Sequence, residues 1–412
     1  MHNVVTAILG GGQGIRLWPL TQDRAKPAVP VGGKFRLIDI PISNSLHGGI
    51  NRVYVITQFN SASLHRHIST TYRFDAFSQG YVNILAAEQR MTSRDWYQGT
   101  ADAVRQNLTR LCETEPSEIL ILSGDQLYLM NMQAFVRHHR AAEADLTVAV
   151  KPVSKAEAPG LGVMRIDDTG RIVEFVEKPS DPAVIDRLAL DEHAIEQLGL
   201  DAAPGMVLAS MGIYVFRRPV IRQLLEGTST VDFGKEVIPE AIHDYRVHAF
   251  LHNGYWRDIG TIKSFHEANL ELTAPVPALN LYDPELQIYT HPRFLPGCKI
   301  NGCDIQRSIV CGGSIISASR VADAIVGVRA VVRPGTVIEQ SYIMGANAFD
   351  ARGIGANCEI RRAIVDLDAT IGDGSRLVNE AGVQETDGEG YCIRDGIIVV
   401  HRGATIAPGT VV

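Results

Sequence analysis

Ala7-Ile-Leu-Gly-Gly-Gly-Gln-Gly-Ile-Arg-Leu-Trp-Pro-Leu-Thr-Gln-Asp-Arg-Ala-Lys-Pro27 is the stretch around which the chain is organised. It contains the end of an apolar strand, predicted over residues 4–9, and then glycines at positions 10, 11, 12 and 14. Glycine has no Cβ, so the backbone N–H groups of such a loop can approach an anion closely. Arg16 and Lys26 follow and supply positive charge. The stretch predicts a polyphosphate-binding loop, with a plain structural turn as the alternative.

Two better-known phosphate-binding motifs do not fit this stretch. A dinucleotide-binding fingerprint needs G-x-G-x-x-G at the start of a helix. Here the sixth position after Gly10 is Ile15, and Pro19 and Pro27 interrupt any long helix. A Walker loop needs Gly-Lys followed by Ser or Thr, which this stretch lacks.

Composition narrows the class of protein. The chain has 412 residues, of which 45% are hydrophobic, enough for roughly two to three domains with sizeable cores. With 39 Lys and Arg against 46 Asp and Glu, the net charge is −7. This balance argues against a general nucleic-acid surface or a surface for anionic membranes. The first residues lack the pattern of a signal peptide, and no apolar run has the ~20 residues of a membrane helix. We therefore expect a cytoplasmic protein.

The six cysteines have no metal-binding spacing. They lie at positions 112, 298, 303, 311, 358 and 392, without a CxxC pair. We predict that all six are buried, reduced thiols.

Residues 1 to about 150 alternate apolar strands with helices. Strands are predicted at 4–9, 52–57, 119–122 and 146–150, and helices at 101–112 and 132–142. Continuous aliphatic strands separated by helices are typical of an α/β fold with a mostly parallel, Rossmann-like sheet covered on both faces. Ligands of such sheets bind at the carboxyl ends of the strands. The loops 10–14, 58–63 and 123–126 are therefore predicted to share one rim.

Several polar residues stand at the ends of predicted strands. Asp125 follows the apolar run 119–122 and is interpreted as a metal-binding or catalytic carboxylate, with an N-cap or Asx turn as the alternative. Glu177 and Lys178 end a β-rich run. They are interpreted as functional residues, with a solvated Glu–Lys pair at a strand end as an equal alternative. Trp256 is interpreted as a packing residue, with stacking on a ligand as the alternative. Asp258 is either a functional carboxylate or the cap of a helix predicted over 262–272.

The last third of the chain has a different sequence pattern. The proline-rich segment 273–295 is predicted to be a linker. Beyond it, aliphatic residues recur in steps of six within each of four runs. These are Ile309, Ile315, Val321; Ile325, Val331, Val337, Ile343; Val365, Ile371, Leu377; and Val400, Ile406, Val412. Hexapeptide periodicity predicts a parallel β-helix, with one inward aliphatic side chain per short strand.

Specific blocks of sequence run through both parts in a recognisable order. They are Gly10–Leu17 with Pro19-Leu-Thr21, Arg24-Ala-Lys-Pro-Ala-Val29, Phe35-Arg-Leu-Ile-Asp39, Ser43-Asn44, Thr57-Gln-Phe-Asn60, Trp96-Tyr-Gln-Gly-Thr-Ala-Asp-Ala-Val104, Gly124-Asp125, Phe175-Val-Glu-Lys-Pro179, Ser210-Met-Gly-Ile-Tyr214, and Trp256 with Asp258-Ile-Gly-Thr261. In these blocks the chain resembles the ADP-glucose pyrophosphorylases (glucose-1-phosphate adenylyltransferases) of bacteria and plants. The blocks at 24–29 and 96–104 separate this family from thymidylyl-, uridylyl- and cytidylyltransferases of the same fold.

The resemblance implies an architecture and a reaction. It implies a nucleotidyltransferase domain at 1–272, a linker at 273–295 and a left-handed parallel β-helix at 296–412 that serves regulation and oligomerisation. The implied reaction converts ATP and α-D-glucose 1-phosphate to ADP-glucose and diphosphate, the committed step of glycogen and starch synthesis. The family is allosteric, with phosphorylated metabolites as effectors, and a homotetramer is implied.

The resemblance also implies roles for individual residues. Arg16, Lys26 and Asp125 would be catalytic, and Asp125 and Asp258 would hold Mg²⁺. The ATP-binding positions would be Leu9, Gly10, Gly11, Gly14, Gln89, Tyr97 and Gly99. The positions that bind glucose 1-phosphate would be Gly162, Glu177, Lys178, Ser210 and Asp258. The effector positions would be Arg24, Lys34, Arg36, Arg66 and Arg402, for each of which ordinary surface charge is an equal alternative.

The chain departs from the family pattern at four positions. Ile15 stands where Thr is usual, Glu88 where Gln is frequent, Gln126 where His is common and Asn131 where Asp is frequent. Ile15, Glu88 and Gln126 motivate a second hypothesis, a non-catalytic regulatory subunit, although the retained Arg16 and Lys26 favour an active one. A third hypothesis, an acyltransferase built on the β-helix, ranks last because His401 is the only histidine after His291.

Overall fold

The N-terminal part of the computed structural model is an α/β domain. The structure describes residues 3–75, 77–87, 96–348 and 353–412. The strands of this part are β1 (Val4–Leu9), β2 (Pro30–Val31), β3 (Phe35–Arg36), β4 (Arg52–Thr57), β5 (Tyr81–Ala86), β6 (Glu118–Ser123), β7 (Gln126–Tyr128), β8 (Leu146–Val153), β9 (Gly162–Ile166), β10 (Ile172–Glu177), β11 (Val207–Arg217), β12 (Val247–Leu251) and β13 (Trp256–Asp258). The helices are α1 (Asp39–His47), α2 (Ala62–Thr71), α3 (Thr100–Leu111), α4 (Met132–Ala141), α5 (Pro182–Arg187), α6 (Glu192–Leu198), α7 (Arg218–Leu225), α8 (Ile238–Asp244) and α9 (Ile262–Glu271). Three 3₁₀ turns (Ile15–Leu17, Lys26–Ala28 and Ala158–Gly160) and a π-helical turn (Phe233–Val237) complete this part.

A nine-stranded sheet forms the centre of this domain. Its main order is β10-β9-β11-β6-β1-β4-β5, and β8 pairs with both β11 and β12. Strands β6, β1, β4 and β5 are parallel, so their carboxyl ends meet at one rim, as predicted. Buried aliphatic side chains cover both faces of the sheet, which accounts for the near-continuous apolar runs. The α/β prediction is confirmed.

Strand β11 extends the sheet beyond the rim. Its residues 214–217 pair antiparallel with β6, and its earlier residues Leu208 and Ala209 pair with β9. Because β11 runs opposite to β6, its first half lies past the carboxyl end of β6. Strands β9 and β10 thereby lie beyond the rim, and Glu177 at the end of β10 lines the same cavity as the glycine loop.

The C-terminal part is a parallel β-helix, as predicted. Its strands are β14 (Lys299–Ile300), β15 (Asp304–Gln306), β16 (Ile309–Val310), β17 (Ile315–Ile316), β18 (Arg320–Ala322), β19 (Ile325–Val326), β20 (Val331–Val332), β21 (Val337–Glu339), β22 (Tyr342–Ile343), β23 (Glu359–Arg361), β24 (Ala363–Val365), β25 (Thr370–Ile371), β26 (Arg376–Leu377), β27 (Thr386–Gly388), β28 (Tyr391–Arg394), β29 (Ile397–Val400) and β30 (Thr405–Ile406). The faces are formed by β14-β17-β20 with β25-β30, by β15-β18-β21-β23-β26, and by β16-β19-β22-β24-β29. An antiparallel hairpin, β27–β28, attaches to β29.

Most of the residues predicted to point into the β-helix are buried, but some are not. Residues such as Val321, Val365 and Leu377 are buried, but five are only half-buried. These five are Ile309, Ile315, Val331, Val337 and Val412. In β17, β20 and β21 the next residue, Ile316, Val332 or Ile338, is the buried one. Neighbouring residues of a strand point to opposite faces, so a one-residue offset exchanges inside and outside.

The two parts share one hydrophobic core. The core cluster around Ile8 and Leu17 continues into the β-helix through Tyr342 and Val399. Phe265 of α9 stacks on Tyr342 with ring centroids 6.0 Å apart. This continuity shows that one face of the β-helix packs against the α/β domain.

The predicted linker lies against the α/β domain. Between α9 and β14 the structure describes no regular helix or strand. The Tyr289 N–H donates to Ser43 Oγ at 2.8 Å, and the Tyr289 ring stacks on His47. The boundaries at 272 and 295 remain predictions.

The prediction that all six cysteines are buried is wrong for three of them. Cys298 is exposed, and Cys112 and Cys303 are half-buried, while all six are free thiols. Cys298 lies at the start of the first coil, where no preceding coil covers it. Within the described ranges, no helix is both long enough and apolar enough to cross a bilayer.

Candidate active site

The glycine loop connects β1 to a 3₁₀ turn at the rim of the sheet. The Gly10 N–H donates to the Ile56 carbonyl at 2.8 Å, which anchors the loop to β4. Gly14 has φ of 65°, a left-handed conformation that favours glycine, and it precedes the turn Ile15–Leu17. Thr21 Oγ donates to the Gly14 carbonyl at 2.9 Å and closes the loop behind Arg16. The loop thus presents its backbone and Arg16 towards the same space.

Lys26 and Asp125 meet beneath this loop. Asp125 follows β6, and its Oδ2 lies 2.7 Å from Lys26 Nζ. Ser123 Oγ donates to the other carboxylate oxygen, Oδ1. Burial alone would raise the pKa of Asp125, but the charge of Lys26 and the two hydrogen bonds outweigh it and lower the pKa. Asp125 is therefore an ionised carboxylate, and it does not cap a helix.

Asp258 is brought near Asp125 by a small two-stranded sheet whose strands are remote in sequence. Strand β13 pairs antiparallel with β7, and Asp258 stands opposite Gln126, the residue after Asp125. The helix α9 is capped by Thr261, so the interpretation of Asp258 as a cap is wrong. Burial, followed by the charge of Asp125, raises the pKa of Asp258. On acidification, Asp258 is therefore protonated at a higher pH than an ordinary aspartate.

The two carboxylates fit a divalent cation. The repulsion from Asp125 that raises the pKa of Asp258 is relieved by a cation placed near both groups. No cluster of three or more His, Cys, Asp or Glu with metal-binding geometry occurs among the described residues. Two carboxylates suit Mg²⁺, which commonly keeps water ligands and takes further oxygens from substrate phosphates. Arg16 Nη2 and Asp258 Oδ2 both lie against Gly260, so positive charge is already close.

A second wall of the site surrounds Glu177 and Lys178. The carboxylate of Glu177 fits between Gly162 and Gly234, where an added Cβ would lie 2.6 Å and 2.4 Å from its Oε2. Burial raises the pKa of Glu177, against the charge of Lys178 beside it. Lys178 has φ of 50°, an uncommon conformation for a residue with a side chain. Its side chain is 56% exposed, with Nζ 3.5 Å from Glu177 Oε1, so the ammonium is open to an anionic ligand.

The third wall contains Tyr97 and Gly99. The Tyr97 N–H donates to Gln58 Oε1 at 2.8 Å, and Gln58 Nε2 donates back to the Tyr97 carbonyl at 3.3 Å. Tyr97 Oη accepts from Asn107 Nδ2 at 3.0 Å. Gly99 precedes α3 as its N-cap residue. The predicted ATP-binding residue Gln89 and the departure Glu88 lie outside the described residues.

These walls enclose one cavity of about 630 Å³. Of the residues predicted from the sequence, those lining it are Leu9, Gly10, Gly11, Gly14, Arg16, Lys26, Tyr97, Gly99, Asp125, Glu177 and Lys178. Among the described residues, Gly162, Ser210 and Asp258 do not line the cavity themselves. Gly162 supports Glu177, and Ser210 is buried with its Oγ accepting from the Gly212 N–H at 3.2 Å.

Sequence reasoning missed part of the lining. Phe59, Thr100, Asp232, Phe233 and Gly234 also face the cavity. Asp232 accepts hydrogen bonds from the N–H groups of Gly234 and Lys235, which fixes the π-helical turn behind Glu177. The available signal was Asp232 itself, because Asp is a preferred residue at helix N-termini.

Two departures from the family pattern have structural roles. Gln126 is buried, and its Oε1 accepts from Trp256 Nε1 at 3.0 Å, so both side chains pack behind the carboxylates. Asn131 caps α4 by accepting from the Ala134 N–H at 2.9 Å. Ile15 is 72% exposed at the cavity and puts an alkyl group there.

A cluster of arginines lies where the two domains meet. We define the inter-domain arginine cluster as Arg24, Arg36, Arg293 and Arg402. Arg24 is buried and forms an ion pair with Asp366 of the β-helix. Burial, followed by the charge of Arg24 and with contributions from Arg293 and Arg402, lowers the pKa of Arg36 to about 10. Arg24 Nε and Nη1 and Arg36 Nε have no hydrogen-bond partner among the described residues.

The other predicted effector residues differ in position. Lys34 is exposed and its ammonium lies 4.9 Å from the centroid of the Phe35 ring, while its carbonyl accepts from Arg293 Nη1 at 3.0 Å. This contact places Lys34 beside the inter-domain arginine cluster. Arg66 is exposed on α2. Arg293 was not predicted from the sequence, since a single arginine in a proline-rich segment gives no signal.

Two family models match the chain. Residues 5–274 match the model described as nucleotidyl transferase. Residues 293–411 match the model described as the GLGC left-handed parallel beta-helix domain, which gives the β-helix its hand.

Proposed function

We propose that this chain is a glucose-1-phosphate adenylyltransferase. The premise is that it belongs to the nucleotidyl transferase family and has the two-domain architecture of ADP-glucose pyrophosphorylases. Family membership gives a nucleotidyltransferase that acts on a sugar phosphate. The proposal of a nucleotide and a sugar phosphate in one site is supported by one observation: a single cavity joins the glycine loop, the Lys26–Asp125 pair and the Glu177–Lys178 pair. The choice of ATP is supported by the resemblance of the blocks at 24–29 and 96–104. Such a cavity has room and charge for a nucleoside triphosphate beside a hexose phosphate.

The chemistry is a displacement at phosphorus. A phosphate oxygen of glucose 1-phosphate attacks the α-phosphorus of ATP, and the bond to the departing diphosphate breaks. Two anions must meet in line, so positive charge and positioning supply most of the catalysis. Arg16, Lys26 and the loop N–H groups would neutralise the triphosphate. Lys178 would hold the hexose phosphate, and the half-buried Glu177 would accept hydrogen bonds from sugar hydroxyls.

A divalent metal is expected for this family, and we propose Mg²⁺ held by Asp125 and Asp258. When bound, the ion neutralises charge on phosphate oxygens. Lys26 forms an ion pair with Oδ2 of Asp125, and Ser123 donates a hydrogen bond to Oδ1, so both contacts orient that carboxylate. These contacts pre-orient the carboxylate before substrates arrive.

The substrate assignment is tested with a panel of nucleotides. The purified protein is mixed with Mg²⁺, glucose 1-phosphate and ATP, dTTP, UTP, CTP or GTP, and release of diphosphate is measured. We expect ATP to give the highest kcat/KM. Equal or better turnover with dTTP or UTP contradicts the adenine assignment while leaving nucleotidyl transfer intact.

Lys178→Ala is expected to raise the KM for glucose 1-phosphate about 10- to 100-fold, the cost of one charged hydrogen bond. The KM for ATP should stay within about threefold, because the glycine loop and Tyr97 form separate walls. Lys155→Ala is the matched control, since Lys155 pairs with Asp186 on the surface at 2.6 Å. A variant that loses ATP affinity and keeps sugar-phosphate affinity would show that Lys178 has the other role.

We also propose that the inter-domain arginine cluster, with Lys34 beside it, binds a phosphorylated effector. Arg66 remains an effector residue proposed from the resemblance. The support is the set of buried guanidinium nitrogens without partners among the described residues, together with the burial and the neighbouring charge of Arg24 that lower the pKa of Arg36. A bound anion would accept hydrogen bonds from these nitrogens and would offset the positive charge around Arg36. Repeating the nucleotide assay with phosphorylated metabolites identifies an activator or inhibitor. A homotetramer and a cytoplasmic location remain proposals from the resemblance.

The alternative of a non-catalytic subunit has one observation in its favour, the alkyl side chain of Ile15 at the phosphate loop. Formation of ADP-glucose by the purified chain alone decides against it. The acyltransferase hypothesis is weakened because the His401 ring packs edge-on against Trp18, with centroids 5.5 Å apart.

A further inference from the structure

Trp18 connects the phosphate loop to the β-helix. It follows Arg16 by two residues, and its ring contacts two side chains of the C-terminal domain. The guanidinium carbon of Arg394, at the end of β28, lies 4.9 Å from the centroid of the Trp18 ring. The His401 ring, just after β29, meets it edge-on at 68°. The indole is thus held by two neighbouring strands of the β-helix.

Arg394 is itself held in place. Its Nη1 donates to the carbonyls of Thr386 at 3.0 Å and Ile393 at 2.8 Å, and its Nη2 bonds to Asp387. The β27–β28 hairpin therefore fixes the guanidinium, and the cation stays over the ring without freezing additional rotamers. Tryptophan is the best aromatic partner for such a cation.

The segment between Gly14 and Thr21 is a closed, hydrogen-bonded loop. Thr21 Oγ donates to the Gly14 carbonyl, and the N–H groups of Leu17 and Trp18 bond to residues 14 and 15. Leu17 and Leu20 are fully buried in the core shared by the two domains. Arg16 and Trp18 thus belong to one stiff unit, with Arg16 at the cavity and Trp18 on the β-helix.

We propose that Trp18 is a positioning residue. Its contacts with Arg394 and His401 set the place of Arg16 at the nucleotide phosphates, so the β27–β28 hairpin controls the nucleotide side of the reaction. The inference rests on the proposed function through the role given to Arg16. The sugar-phosphate side belongs to β10 and the residue after it, which are separate from this loop, and is unaffected.

The test is steady-state kinetics of Arg394→Ala, Arg394→Lys, Trp18→Ala and Trp18→Phe. Arg394→Ala is expected to reduce kcat/KM for the nucleotide about 3- to 30-fold, the range for contacts that couple two sites. The KM for the sugar phosphate should stay within about twofold. Arg394→Lys and Trp18→Phe keep a cation and a ring, so each should recover part of the loss.

A control variant and a double-mutant cycle test whether the effect comes from the contact between Trp18 and Arg394. Arg307→Ala removes an exposed β-helix arginine paired with Asp323 and should behave as wild type. Trp18→Ala combined with Arg394→Ala should be no worse than the more severe single variant, because both remove one contact. Unchanged nucleotide kinetics in Arg394→Ala, or equal loss for both substrates, would overturn the proposal. The assay uses whichever substrate pair the wild type turns over best, so a wrong substrate assignment is detected separately.

Discussion

Asp125→Asn is expected to lower kcat about 10²- to 10³-fold, the usual effect of removing one electrostatic stabiliser from an active site. The substitution keeps the shape of the side chain and removes its charge. The variant would hold a divalent cation far less well, because a neutral amide oxygen replaces a carboxylate. It would also leave Lys26, whose side chain is only 11% exposed, without its partner at 2.7 Å.

The measurement is diphosphate release as a function of Mg²⁺ concentration. In Asp125→Asn the Mg²⁺ concentration for half-maximal rate should rise together with the fall in kcat. Asp186→Asn is a matched control, because Asp186 also pairs with a lysine, Lys155, but on the surface. A variant that keeps near-normal turnover and an unchanged Mg²⁺ requirement would remove Asp125 from the metal site.

The fall in the rate of diphosphate release at acidic pH is a second measurement on the same site. Asp258 has a raised pKa, so its charge is lost first as the pH falls. Asp125, held ionised by Lys26 and Ser123, loses its charge only at lower pH. This order separates the two carboxylates chemically, although the sequence predicted both as ligands of one Mg²⁺ ion.

The predictable parts of the site are those that strand order dictates. A glycine loop after β1 and a carboxylate after β6 must meet, because neighbouring parallel strands bring their carboxyl ends to one rim. The position of Glu177 depends instead on β11 extending past β6 and on the space left at Gly162 and Gly234. No local pattern records such tertiary clearance, so Gly234 was missed. The same limit explains the offset at Ile315 and Ile316, since six-residue periodicity does not say which of two adjacent aliphatics points inward.

The contacts between the two domains could not be predicted from the sequence either. Trp18 gave no sign of its partners, since Arg394 and His401 are remote in sequence and neither belongs to a motif for aromatic contact. Arg24 was recognised only by its place in a family block, and its pairing with Asp366 is a product of docking the β-helix on the α/β domain. The stability of this docking can be tested at the Arg24–Asp366 pair.

Asp366→Ala is expected to reduce the free energy of unfolding by about 3–5 kcal/mol, the cost of removing one partner of a buried ion pair. Both side chains are almost fully buried, at 2% and 1% exposure. Without Asp366, the charge of Arg24 remains in the interface beside Arg36, whose pKa it already lowers. Asp304→Ala is the control: Asp304 pairs with Arg320 on the surface, so its loss should cost about 1 kcal/mol or less.

Inorganic phosphate separates a structural role of this pair from a role in effector binding. Arg24 Nε and Nη1 are unpaired within the described part of the chain, and Asp366→Ala frees a further nitrogen. If the inter-domain arginine cluster binds anions, phosphate should raise the melting temperature of Asp366→Ala more than that of the wild type, because a ligand that binds only the folded state stabilises it. Equal shifts would contradict an anion site at Arg24. A loss of stability no larger than that of Asp304→Ala would contradict the buried ion pair itself.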